Sequence, residues 1–413
     1  MSKNKKGNVI VGQSGGPTAV INSSLAGVYQ IARERGAGKI YGMLNGIQGL
    51  LEGKYVNLKR HIKSQLDIEL LKRTPSSFLG SCRYKLPEYD AQPEIYEQIF
   101  RFLEEKEIRY FFYIGGNDSM DTIKKLSDYA ALQQSPIRFM GIPKTIDNDL
   151  DITDHTPGYG SAAKYIGSIT KEIIRDSLVY DQDSVTILEI MGRNAGWLTA
   201  AAALAAGEDC EGPDMIYLPE RIFSLEGFAE KIRERQKDKR SLVVAVSEGI
   251  RCADGRYICE LGAGVGRTDV FGHRYLSGTG NYLAQYLSEN IGCKTRAIEF
   301  STLQRCSSHI ASRVDITEAF QAGGAAVKDA FEGHTGEMVI LKRISDDPYI
   351  CVTGTHDIHQ IANVEKKVPD NWISPSGDQV ERRLVSYIRP LIQAELTPIM
   401  SDGLPRHLTL SDH

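Results

Sequence analysis

The densest cluster of chemically capable side chains lies at residues 143–150, PKTIDNDL, which sets Lys144, Thr145, Asp147, Asn148 and Asp149 within a few positions. A carboxylate here can accept a hydroxyl proton while the adjacent ammonium neutralises phosphate charge, the two tasks of phosphoryl transfer. The plainer reading, a solvated polar turn, is disfavoured because the cluster follows an apolar run that reads as a strand, and ligands bind at strand ends in sheets of this type. At 191–197, MGRNAGW, Arg193 could grip a phosphate or its transition state through its guanidinium fork. Taken without its neighbours, Arg193 reads as a surface ion-pair partner.

Two glycine-rich turns add a phosphate-binding device. Residues 11–24, VGQSGGPTAVINSS, read as a strand, a turn and a helix start, in which glycines let backbone N–H groups approach phosphate oxygens. This turn is neither a P-loop, lacking a Lys-Ser or Lys-Thr pair, nor a GxGxxG fingerprint. A tight strand-to-helix turn with no ligand is an equal alternative. Residues 114–122, IGGNDSMDT, repeat the device, and Asp118 opens a helix where it could also face a hard cation. Taken alone, Asp118 and Ser119 read more readily as plain helix caps.

These clusters need a scaffold that brings them together. Runs at 8–11, 109–114, 138–142, 184–191, 215–218, 241–246, 295–300 and 337–341 read as buried strands. Between them, 18–34, 119–131, 162–178, 195–206, 224–236 and 317–331 have helical periodicity. The alternation predicts a doubly wound α/β fold with parallel sheets, and each polar cluster falls just after a predicted strand. A chain of 413 residues is too long for one ordinary core, so two lobes meeting at a cleft are expected.

With 49 basic and 53 acidic residues the net charge is −4, and no basic block follows the short start that carries Lys3, Lys5 and Lys6, so nucleic-acid binding is disfavoured. No apolar stretch approaches a membrane span and no apolar leader opens the chain, so a cytoplasmic protein without membrane partners is expected. Seven cysteines show no metal-like spacing and read as buried, reduced thiols. His356 and His359 lack a third ligand, which favours packing or solvent-facing histidines over a zinc site.

Taken in order, GQSGGPT, FLGSCR ending at Arg83, GGNDS, PKTIDND, TPGYGSA, LEIMGRNAGW, VSEG at 246–249 and LQRCSSHIAS at 303–312 resemble the phosphofructokinases. The tail ANVEKKVPDNW resembles the branch of that family that uses pyrophosphate. The resemblance implies two Rossmann-like three-layer α/β lobes with the active site between them. It implies a donor lobe of residues 1–152 plus about 304–355, and a sugar-phosphate lobe of 153–303 plus about 356–413.

The activity so implied is reversible transfer of a phosphoryl group from pyrophosphate to the 1-hydroxyl of fructose 6-phosphate, with Mg2+ as cofactor, in a homodimer or homotetramer. Asp147 would be the base, with Thr145 beside it and Arg193 on the transferring group. Met191, Gly192, Glu248 and Arg305 would line the sugar-phosphate site, and Arg296 would reach a sugar phosphate across a subunit interface. Gly15 would lie against the donor with Arg83 near it.

Relatives that use ATP carry glycine where this chain has Asp118 and Lys144. Asp118 would put bulk and negative charge where the nucleotide's α-phosphate sits, and Lys144 would offset pyrophosphate charge. Asn117 stands where relatives carry a magnesium-associated Asp, which leaves Asp118 as the metal contact with Asn117 as an alternative. Thr302 replaces a His or Tyr often found three positions before the sugar-binding Arg. The rivals are an ATP-dependent enzyme of the same fold, a non-catalytic regulatory subunit, and a lipid or NAD kinase, which the MGR and LQR elements disfavour.

Overall fold

The computed structural model describes residues 7–262, 276–362 and 364–410. The N-terminal Lys3, Lys5 and Lys6, and Asn363 of the ANVEKK stretch, lie outside the described residues. Eleven strands build two main sheets. In chain order they are β1 Asn8–Gln13, β2 Ile40–Met43, β3 Tyr55–Asn57, β4 Ile108–Gly115, β5 Arg138–Pro143, β6 Ser184–Ile190, β7 Met215–Tyr217, β8 Ser241–Ser247, β9 Lys294–Glu299, β10 Glu337–Asp346 and β11 Tyr349–Asp357.

The larger sheet runs β11-β10-β5-β4-β1-β2-β3 and the smaller β7-β8-β6-β9. Pairing is parallel throughout the smaller sheet and through β10-β5-β4-β1-β2. The two edge strands β3 and β11 pair antiparallel. Each of the eight strands predicted from the sequence is present, and β2, β3 and β11 add to them. β2, IYGM, is interrupted by Gly42, and β3, YVN, is half-buried throughout, so neither shows the apolar run that marks the equally short β7. β11 is an edge strand whose exposed and half-buried residues mix along its length, so it shows no apolar run.

Alternation along the central strands covers both faces of each sheet. On β4, Phe111 and Tyr113 face one apolar cluster while Phe112 and Ile114 face the other. On β6, Val185 and Ile187 divide from Leu188 and Ile190 in the same way. Two-sided burial of that kind requires helices on both faces, which is the three-layer arrangement expected.

Helices Ile21–Glu34, Asn117–Leu132, Tyr159–Ser177, Leu225–Arg235 and Arg313–Glu332 supply most of that cover where the sequence predicts it. The predicted helix 195–206 is instead a four-residue helix, Trp197–Ala200, running into a 3-10 segment, Ala201–Ala205. Helices Gln65–Arg73, Pro93–Glu105 and Thr279–Asn290 add to those the sequence predicts. Among the described residues no helix is long and apolar enough to cross a membrane.

Candidate active site

Register brings the polar loops side by side. Gln13 pairs with Ile114 and Gly115 with Pro143, so the chain leaves β1, β4 and β5 at one level. From β1 the chain passes to β2 on one side and returns through β4 on the other, which makes the β1–β4 crevice a topological switch point. Ile190 likewise pairs with Ser247, which sets residues 191–194 beside Glu248.

The loops of the two sheets face one another across a cleft of about 740 Å³. Gly15, Arg83, Asn117, Asp118, Lys144, Thr145, Asp147, Met191, Gly192, Arg193, Glu248 and Arg305 all line it. Arg296 does not: it lies on β9, half-exposed, with Nη1 3.6 Å from Asp176.

On one wall, the Gly15 N–H donates to the Cys82 carbonyl at 3.2 Å and Ser81 Oγ donates to the Gly15 carbonyl, which docks the Arg83 loop on the first turn. Gly15 has φ +76°, which favours glycine, and a β-carbon there would crowd Lys144 Nζ at 3.3 Å. Lys144 Nζ donates to the Gly16 carbonyl at 2.6 Å and is only 2 % exposed. Burial draws its pKa down to about 8; Asp147 and Asp149 hold it up, and Arg305 and Arg83 push it further down.

The Asp147 N–H donates to Thr145 Oγ1 at 3.1 Å, which fixes the hydroxyl next to the carboxylate. Burial raises the Asp147 pKa against the opposing pull of Lys144, and Asp149 is pushed up to about 7 by burial, Asp147 and Glu365. A carboxylate whose pKa is raised is the stronger proton acceptor, which suits a general base. Behind it Asn148 adopts φ +54° and is fully buried, giving its Nδ2 to Tyr387 and accepting the Thr156 N–H.

Asp118 is exposed to the cleft in the first turn of Asn117–Leu132, whose N-cap is Gly116 with no side-chain cap bond. Neither Asp118 nor Ser119 caps that helix. The adjoining Asn117 Oδ1 is buried and has no hydrogen-bond partner among the described residues.

On the facing wall, Glu248 accepts the Gly192 N–H at 3.4 Å, and burial pushes its pKa up to about 8. A β-carbon on Gly249 would fall 2.0 Å from the Arg193 carbonyl, so glycine there is what lets the Arg193 loop close on Glu248. Arg305 reaches across to the wall that carries the Gly15–Gly16 turn, since a methyl added at Gly16 would stand 3.3 Å from its Nη1.

Several lining residues carried no role in the sequence reading. Asp149, Glu189 and Gln304 sit inside motifs quoted for their neighbours, and Gln304 Oε1 accepts the Met191 N–H at 3.3 Å. Val364 and Glu365 come from the ANVEKKVPDNW tail, which the sequence marks only by resemblance and without a role for either residue.

Other sequence expectations resolve away from the cleft. All seven cysteines are free, but only Cys82 and Cys293 are fully buried and Cys306 is exposed, so burial holds for part of the set. His356 Nε2 bonds Gln360, and the two ring nitrogens of His359 bond Asp357 and Asp128. His155, Glu318 and Cys351 bring ligand atoms within 4.8 Å of one another, but Asp154 and Glu318 take both His155 nitrogens at 2.7 Å.

The family model for phosphofructokinase matches residues 8–329. A pyrophosphate–fructose 6-phosphate 1-phosphotransferase of Methylococcus capsulatus is 40 % identical over 407 residues, 98 % of this chain and 96 % of that protein. A sulfofructose kinase of Alkalicoccus urumqiensis is 35 % identical over 90 % of each chain. The crystal structure of a pyrophosphate-dependent phosphofructokinase from Nitrosospira multiformis superposes with a TM-score of 0.87 at 38 % identity, covering 97 % of this chain and 95 % of that one. With the order of the cleft loops and a matched span of this extent, the chain belongs to the phosphofructokinase family.

Proposed function

We propose that this chain reversibly transfers a phosphoryl group from pyrophosphate to the 1-hydroxyl of fructose 6-phosphate, releasing fructose 1,6-bisphosphate and phosphate. The observation that carries the reading is a buried ammonium, Lys144, bonded into the Gly15–Gly16 turn on the cleft wall that also bears Asp118. Together they offer positive charge to a compact phosphate pair and negative charge to anything longer.

In the forward direction the Asp147 carboxylate takes the proton of the 1-hydroxyl, and the freed oxygen attacks one phosphorus of pyrophosphate. The bridging P–O bond breaks and its electron pair leaves with phosphate, while Arg193 and Lys144 balance charge on the transferring and departing groups. Glu248, Met191, Gly192 and Arg305 hold the sugar phosphate, and Arg83 the donor. We assign the larger sheet and its loops to the donor and the smaller sheet to the sugar phosphate.

Asn117 and Asp118 suit a hard cation, because an orphaned amide oxygen and an exposed carboxylate share one helix turn. They would hold Mg2+, which when bound supplies charge neutralisation on donor oxygens. Arg296, on β9 outside this cleft, fits a role toward a neighbouring protomer in a homodimer or homotetramer. A cytoplasmic setting suits substrates of this class.

Initial rates with pyrophosphate and with ATP, each on fructose 6-phosphate and on sulfofructose, test the reading. Turnover is expected with pyrophosphate and fructose 6-phosphate. Preference for ATP, or for sulfofructose, overturns the donor or the acceptor assignment respectively. Replacing Asp118 and Lys144 together by Gly is expected to lower the preference for pyrophosphate over ATP, and an unchanged preference refutes the roles of those two side chains.

A further inference from the structure

The tail segment 364–368 touches both catalytic loops. On the donor side it pairs with the chain leaving PKTIDND: Leu150 and Glu365 form an antiparallel bridge, and the Lys366 N–H donates to the Asp149 carbonyl at 2.8 Å. Lys366 Nζ then donates to the carbonyls of Thr153 at 3.0 Å and Asp154 at 2.8 Å. On the sugar side, Trp197 Nε1 donates to the Lys366 carbonyl at 3.0 Å, and the ammonium stands 5.4 Å from the centre of the Trp197 ring. Two residues on, Glu220 Oε1 accepts both the Val368 N–H at 3.0 Å and the Gly196 N–H at 2.8 Å.

One short segment is thus hydrogen-bonded to the loop that follows Asp147 and to the turn that follows Arg193. Desolvating an ammonium is costly, and here its bonds go to two main-chain carbonyls rather than to a carboxylate. Such an arrangement fixes backbone position.

We propose that Lys366 is a positioning residue that ties the Asp147 loop to the Arg193 loop and keeps base and phosphoryl-binding group in register across the cleft. This rests on the roles given to Asp147 and Arg193 above. Lys366 touches no reacting atom. Its effect falls on the step that needs both loops at once, and not on the binding of either substrate, because donor and sugar each contact mainly one wall.

Lys366→Met keeps the stem against Trp197 and removes the charge and both donated bonds. Its kcat is expected to fall roughly 10²-fold, the cost of a displacement of about 1 Å between reacting groups. The KM for pyrophosphate and for fructose 6-phosphate should each stay within about threefold, and Lys366→Arg, which retains charged donors, should recover most of the loss. Hydrogen exchange on the full-length protein should accelerate together in peptides covering 149–154 and 194–198.

A folded Lys366→Met with wild-type kcat, or one in which only a KM rises, overturns the proposal, as does faster exchange confined to one of the two loops. If Lys366→Met does not fold, Trp197→Phe removes the donor to the Lys366 carbonyl while keeping an aromatic ring in a somewhat smaller volume, and is read by the same criteria. Wild-type protein is assayed first. If it transfers no phosphoryl group from pyrophosphate while exchange in the two loops still rises together, the proposed reaction fails and the tie stands.

Discussion

Lys144→Met separates the electrostatic reading of the donor site from a merely structural one. The side chain is 2 % exposed, its Nζ bonds the Gly16 carbonyl, and it is the cation nearest the turn that would receive pyrophosphate. Removing one such preorganised donor costs roughly 10²–10³-fold in turnover. Gly16 also lines the cleft, so water can reach the carbonyl left behind and the fold should survive.

The pH–rate profile carries a sharper signature. Wild-type kcat/KM for pyrophosphate should rise as Asp147 ionises and fall as Lys144 loses its proton near pH 8. Lys144 lowers the Asp147 pKa, so in Lys144→Met the acid limb should move to higher pH. Lys144→Arg keeps its charge at all accessible pH and should lose the alkaline limb. Glu248 is also raised to about 8, which makes the Arg variant decisive. An alkaline limb unchanged in Lys144→Arg refutes the assignment, as does a Lys144→Met enzyme with wild-type donor kcat/KM.

Two other outcomes are expected. Asp147→Asn, nearly isosteric, should lower kcat by roughly 10²–10⁴-fold in steady-state assays while calorimetry still detects pyrophosphate binding; retained turnover removes Asp147 as the base. His155, 1 % exposed, sits between Asp154 and Glu318; burial opposes its charge, but the two carboxylates outweigh it and raise its pKa to about 9. With the folded value above the unfolded 6.5, its contribution is fully present below about pH 6.5 and lost as pH rises toward 9. Thermal melts should therefore show Tm declining across that window, and His155→Gln should flatten the decline; equal slopes in both proteins contradict it.

Much of the site was legible because its chemistry is local. Lys144, Thr145 and Asp147 share one loop, Met191, Gly192 and Arg193 another, and each loop follows a strand whose apolar run is unmistakable. Three strands carry no such run: β2 is interrupted by Gly42, and in β3 and the edge strand β11 partial exposure erases the apolar pattern. The broken helix after Arg193 was likewise hidden, because an alanine-rich run satisfies α and 3-10 geometry alike.

The sequence by itself determined the residue types at each strand end, their order, and the alternation that demands a two-sided parallel sheet. Only the tertiary structure decided that loops at 143–149, 191–194 and 248 face one another, that Lys144 is desolvated, and that Arg296 lies outside the cleft. It also revealed the clasp of Lys366 on two loops, whereas the sequence offers Lys366 only as a member of the ANVEKKVPDNW motif with no role of its own. The physical reason is that periodicity reports which face of an element is apolar. Burial of a charge, and what it bonds to, depends on segments that may be hundreds of residues away along the chain.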